Sequence, residues 1–187
     1  MNTLRNSVGI LVKYTAWCFN HWHLDGSLCL QHGLCGKAHF RRLRWIDGFQ
    51  NLVVTVGRNA LLDNTFNAAA GSVLWYVGLK DTGTPAAADT MASHATWAEI
   101  HTIYSQATRP AWTKNGAASG GAMSNSSSKA AFSITGSDDV YGAFMSSDNT
   151  KNGTTGTLFG AGDFTAARSV QSGDTLNIEV DLSVTAS

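Results

Sequence analysis

The stretch "TLNIEVDLSV", residues 175–184, constrains this chain more than any other ten residues. Leu176, Ile178, Val180, Leu182 and Val184 alternate without a break with Thr175, Asn177, Glu179, Asp181 and Ser183. In an extended backbone successive side chains leave opposite faces, so a period of two makes one aliphatic face and one polar face. A helix would scatter both sets around its circumference. Ser172, Gly173 and Asp174 supply a turn before the segment. Such a strand needs a second apolar layer to cover its aliphatic side.

Candidates for the rest of those layers recur along the chain. Residues 40–46 ("FRRLRWI"), 51–56 ("NLVVTV"), 73–79 ("VLWYVGL"), 97–104 ("WAEIHTIY"), 129–135 ("KAAFSIT") and 139–146 ("DVYGAFMS") are rich in β-branched and aromatic residues. Gly, Asp, Asn or Ser bound many of them. One short helix is predicted at 59–66, capped by Asn59, with Leu61, Leu62, Thr65 and Phe66 on one stripe. No helices are available to cross between parallel strands. The expected fold class is therefore all-β, a jelly-roll-like antiparallel β-sandwich with one short helix and an N-terminal extension. At 187 residues the chain has room for one such core. Composition changes near residue 38, which predicts an N-terminal arm over 1–38 and a sandwich domain over 39–187. The apolar run "VGILVKYTAW" is interrupted by Lys13 and is assigned to the arm.

Charge and cysteine usage narrow the function classes. Charged residues make up 14% of the chain, against roughly 25% in ordinary soluble domains. Net charge is zero, so no global field favours nucleic acid, and no direct nucleic-acid partner is expected. The zero conceals an asymmetry. Residues 1–58 carry seven Lys and Arg against Asp25 and Asp47, a net of +5, which leaves −5 on the remainder. That pattern suits attraction between neighbouring copies. No segment reaches the length of a membrane span, and no signal-peptide pattern opens the sequence. Three cysteines, all before residue 36, do not make an even disulfide framework, so synthesis in a reducing cytoplasm is expected.

Chemistry-bearing constellations are few. "CLQHGLCGKAH" sets Cys29, His32, Cys35 and His39 within eleven residues. Zinc modules usually hold two separated ligand pairs, and this quartet is undivided. The residues read as a turn in the arm, no metal or cofactor is expected, and zinc binding stays open as a staple between protein parts. There is no G-x-S-x-G elbow, no P-loop Lys-Ser/Thr after the glycines of 153–162, and no acid/base carboxylate pair around Glu99 or Glu179. No catalytic residue is assigned and the chain is not expected to be an enzyme. "HFRRLRW" (39–45) mixes cations with aromatics; salt bridges to an acidic neighbour are its expected use. Trp112, in "TRPAWTKNG", is the tryptophan expected to be exposed. The interface residues expected from the sequence are thus Trp17, Trp22, Arg41, Arg42, Arg44 and Trp112.

Three stretches carry a resemblance: "WIDGFQNLVVTVGRNALLDNTF" (45–66), "WYVGLKDTGTPAAADTMASHATWAEI" (75–100) and "YGAFMSSDNTKNGTTGTLFGAGDFTAARSVQSGDTLNIEVDLSV" (141–184). Together they resemble a family of small virion structural proteins of tailed bacteriophages, described as head decoration or tail-fibre-like. The resemblance covers about residues 40–187 and omits 1–38. It implies a non-enzymatic, β-rich protein of the particle but does not fix one location in it; the expected place is the outer surface of the capsid, after synthesis in the host cytoplasm. The expected partners are the major capsid protein and other copies of the chain, as dimer or trimer. The expected role is that of a cement protein bound across capsid-subunit junctions. The alternative is a receptor- or glycan-binding module on a tail or head fibre, using the 80–96 and 109–121 loops.

Overall fold

A computed structural model describes the backbone of residues 8–23, 39–50, 52–66 and 73–186, and side-chain surroundings for 52–58, 60, 61 and 73–184. Ten strands and one helix occur among these residues. The strands are β1 (Val8–His23), β2 (His39–Gln50), β3 (Leu52–Val53), β4 (Tyr76–Lys80), β5 (Glu99–Ile100), β6 (Ala122–Ser124), β7 (Ala130–Ser133), β8 (Asp138–Ser146), β9 (Leu158–Val170) and β10 (Thr175–Ala186); the helix is α1 (Thr55–Phe66). They form two five-stranded antiparallel sheets. Sheet A runs β2-β1-β10-β6, with β7 also paired to β10, and sheet B runs β3-β9-β8-β4-β5.

The sandwich follows from the alternation in β10. Leu176, Ile178 and Val180 are fully buried and pack in one cluster with Val77 and Leu79 of β4, Ala143 and Met145 of β8, and Phe132 of β7. Burying each large side chain is worth about 1.5–3 kcal/mol, and this cluster joins the two sheets face to face. Sheet B is covered on its other side as well. Phe144, Leu158 and Ala161 pack with Met91 and Trp97 of the 81–98 loop and with Val54, the residue before α1. The all-β sandwich expected from the sequence is the observed architecture; the jelly-roll subtype goes beyond these strand orders.

The largest difference from the sequence reading is β1. Residues 8–23, assigned to an arm, form the longest strand and lie between β2 and β10. The register explains the Lys13 interruption. Ile10, Val12, Tyr14, Ala16 and Cys18 stand opposite Val184, Leu182, Val180, Ile178 and Leu176, whereas Lys13 stands opposite Asp181 and Thr15 opposite Glu179. The charge therefore falls on the other face from the aliphatic row, as period two requires. Residues 1–7 and 24–38 of the expected arm lie outside the described residues.

Three further differences have local causes. The helix begins at Thr55, so Asn59 lies within it instead of capping it; Arg58 Nη2 donates to Thr55 Oγ1 (3.1 Å) in the first turn. The 97–104 candidate keeps only Glu99–Ile100 as strand, followed by a single bridge from Tyr104 to Ile134. Strand β9, "LFGAGDFTAARSV", has small residues where a strand signal needs bulk, and sequence patterning passed over it. Small size is what packing needs here. Gly57 is buried in α1 beside β9, and a Cβ there would overlap the Phe159 carbonyl oxygen.

Between β6 and β7 the edge of β10 has a gap, and side chains fill it. The buried Asn125 accepts from Val180 N (2.7 Å) through Oδ1 and donates to Ile178 O (3.4 Å). Trp112 Nε1 donates to Val180 O (3.2 Å). Asn125 thus satisfies backbone groups that a continuous strand would have paired, which removes the cost of burying them bare.

Candidate functional site

Two buried polar clasps hold the loops of sheet B. In the first, Arg109 meets Glu99 side-on: Nε donates to Oε1 (3.0 Å) and Nη2 to Oε2 (2.7 Å), and both side chains are buried. The fork geometry of guanidinium and carboxylate makes such pairs strong and directional. Arg109 also donates to the carbonyls of Asp148 (2.8 Å) and Gly153 (3.2 Å), and Asn152 N donates to Glu99 Oε2 (2.7 Å). The guanidinium lies 5.2 Å from the Phe144 ring centre. One ion pair thereby ties the 147–157 loop to the 99–109 segment.

Lys151 extends this clasp. Its Nζ donates to Tyr104 O (3.1 Å) and Gln106 O (3.0 Å) and stands 3.9 Å from the Tyr104 ring centre. Desolvation holds the Lys151 ammonium below its ordinary pKa, partly offset by Glu99. Tyr104 is pushed well above the ordinary tyrosine range, chiefly by burial and then by the Glu99 charge, with Arg109 opposing. Its hydroxyl is buried without a hydrogen-bond partner. Asp148 is held below the usual carboxylate range by hydrogen bonds, first from the Thr155 hydroxyl (2.6 Å), then from Thr150 N (2.6 Å).

The second clasp centres on Lys80, fully buried at the end of β4. Its Nζ donates to the carbonyls of Asp81 (2.8 Å) and Gly83 and to Asp163 Oδ1 (2.5 Å) of β9. Gly83 adopts φ +99, and a Cβ there would overlap the Thr96 carbonyl oxygen. Trp97, stacked on His94, donates its indole N–H to Asp89 Oδ2 (2.8 Å). Lys80, Asp89, Glu99 and Arg109 are thus bonded to internal partners that fix the loops.

The aromatic side chains follow the same rule. Trp97 is buried; Trp75 is half-buried and meets Phe159 edge-on. Trp112, expected to be exposed, is half-buried, packs against the core and is tethered to Val180. Two open concavities lie among the described residues. One of about 370 Å³ is lined by Met91, His94, Trp97, Glu99, Asn152 and Thr154, and another of about 490 Å³ by Asn115, Ser119, Met123, Ser124 and Asp181. Among the residues with described side chains, no three His, Cys, Asp or Glu gather to hold a metal ion. No helix there is long and apolar enough to cross a membrane.

The remaining interface candidates lie on the β1–β2 ribbon. β1 pairs with β10 as far as Phe19 opposite Thr175, then continues to His23 with β2 alone. Four residue pairs, Asn20–His23 against His39–Arg42, outrun β10 by about 13 Å at the usual strand rise. Trp22 is opposite Phe40, Arg41 opposite His21 and Arg42 opposite Asn20. Arg41 and Arg42 therefore belong to opposite faces of the ribbon. Arg44 is skipped in the register, the extra residue of a β-bulge between Trp45 and Leu43. Trp17, opposite Ile46 and Asn177, sits where three strands are paired. Of the Cys/His quartet only His39 is described, as the first residue of β2; Cys29, His32 and Cys35 lie outside the described residues.

Neither models of known protein families nor curated proteins give a match to this chain.

Proposed function

We propose that the chain is a structural protein of a tailed-bacteriophage particle, a cement or decoration protein bound across junctions between major capsid subunits. The observation that carries this reading is the β1–β2 ribbon. It continues past its neighbour β10 and carries Trp22, Phe40, Arg41 and Arg42, a combination of aromatic area and guanidinium that interfaces favour. A ribbon braced at its base by sheet A is a stiff tether, which raises the effective concentration of its contacts at a neighbouring subunit. The body is consistent with such a role. The buried charges described above fix loops, the two concavities described are open, and the 113–128 segment offers Ser and Asn side chains at the surface. The jelly-roll form of the sandwich belongs to the same reading.

Bound to the assembled lattice and not to the open one, the protein stabilises the DNA-filled head by mass action. The test is to count copies in intact particles and repeat the count with residues 24–38 replaced by an Asn-Gly turn and Trp22 and Arg41 changed to Ala. A copy number matching the capsid lattice that falls in the variant supports cement. The isolated variant should keep its melting curve. A handful of copies per particle would move the protein to a tail or fibre, where selective binding on a glycan array would be expected of the loops instead.

A further inference from the structure

The ribbon that outruns β10 contains an arrangement that the linear sequence does not display. His21 and His23 are two apart on β1 and so share a face, and His39 stands directly opposite His23 on β2. Arg41, opposite His21, completes a two-by-two patch. Three of the chain's six histidines therefore occupy four adjoining positions. On β1 these positions continue the series Lys13, Thr15 and Trp17, whose β10 partners Asp181, Glu179 and Asn177 alternate with the buried aliphatic row of β10. The bulge at Arg44 adds its extra residue to β2 and leaves the alternation of β1 intact.

We propose that His21, His23 and His39 form a three-imidazole site for a divalent transition-metal ion of the zinc class. Directly opposed strand residues have Cβ atoms about 5 Å apart, and residues two apart on one strand about 7 Å. Metal–imidazole bonds of about 2.0–2.1 Å are compatible with histidines at positions so spaced. Imidazole suits Zn²⁺, Cu²⁺ and Ni²⁺, and three protein nitrogens leave a coordination position open. The positive charge of Arg41 in the fourth place opposes a bare dication and favours an anionic fourth ligand, such as hydroxide or a carboxylate from a docked neighbour. The site is distinct from the Cys29/His32/Cys35/His39 quartet and shares only His39 with it.

The test uses the full chain, stripped with chelator and titrated with Zn²⁺, with Co²⁺ as a spectroscopic stand-in. About one Zn²⁺ should bind per chain, as for a single site. Imidazole ¹⁵N shifts should move for His21, His23 and His39 and stay fixed for His94 and His101, a readout that needs no substitution. His21→Gln and His23→Gln should each weaken binding by about tenfold or more, and the Cys29→Ser/Cys35→Ser double variant should bind like the parent. Co²⁺ should give visible d–d bands without thiolate charge transfer. No uptake by the parent overturns the proposal. So does parent-like binding in both Gln variants, or a thiolate band that vanishes in the double Ser variant.

Discussion

Arg109 and Glu99 show what a buried charge does in this protein. Each is stripped of water, and each recovers its hydrogen bonds from the other and from the 147–157 loop. Arg109→Leu leaves the Glu99 side chain without its guanidinium partner in the interior. Loss of one partner from a buried pair costs about 3–5 kcal/mol, and urea unfolding of the variant should show a loss of that size. Tyr104 is the opposite case. Its hydroxyl is buried with no partner, so Tyr104→Phe removes an unpaid desolvation penalty and should raise stability by about 1 kcal/mol. The two proteins should also diverge with pH. The fold holds the Tyr104 proton well above the ordinary range, so the folded state keeps a proton that the unfolded chain releases above about pH 10. Stability attached to this group is complete below that pH and declines above it. The Phe variant lacks that decline, so the gap measured between the two should widen in alkali.

At the scale of elements, close approach decides more than propensity. α1 opens "TVGRNALL", and a glycine in a first turn is a poor helix former. Gly57 is tolerated because the helix backbone rests on β9, where a side chain would strike the Phe159 carbonyl. Ala normally stabilises a helix by up to about 1 kcal/mol relative to Gly; here Gly57→Ala should destabilise instead, with a lowered melting temperature. An unchanged or raised melting temperature would show that α1 can shift off β9 at no cost. Strand β9 teaches the same lesson. Its Gly160, Ala161 and Gly162 carry little hydrophobic signal, yet all are buried, because β3 and β8 flank this strand and both faces of sheet B are covered.

For the whole molecule, the covering of sheet B on both faces predicts a gradient of local stability. The middle of β8 lies under sheet A on one side and under the 81–98 loop on the other, and β4 pairs beside it with Val77 and Leu79 in the inter-sheet core. Native-state hydrogen exchange should find its slowest amides at Val77–Leu79 and Ala143–Met145, opening only with global unfolding. The 113–121 loop, exposed along its whole length, should exchange by local opening. Slow exchange in that loop, matching β8, would mean that the sandwich opens as one unit. The opposite charges of the chain's first third and its remainder also find a partial use within the molecule, since Lys13 stands in register with Asp181.

The sequence by itself determined the all-β class, the inward row of β10 and the positions of β4, β7 and β8, because a period of two is a local property that no distant contact has to supply. It also marked the Arg-rich strand and the Cys/His segment as features in need of a partner. It did not reveal that 8–23 joins the sheet, since Lys13 looks like a break until Asp181 is placed opposite it. Nor could it reveal β9, the Glu99–Arg109 clasp or the grouping of His21, His23 and His39. Those depend on register and on close approach between residues far apart in the chain, and only tertiary structure sets either one.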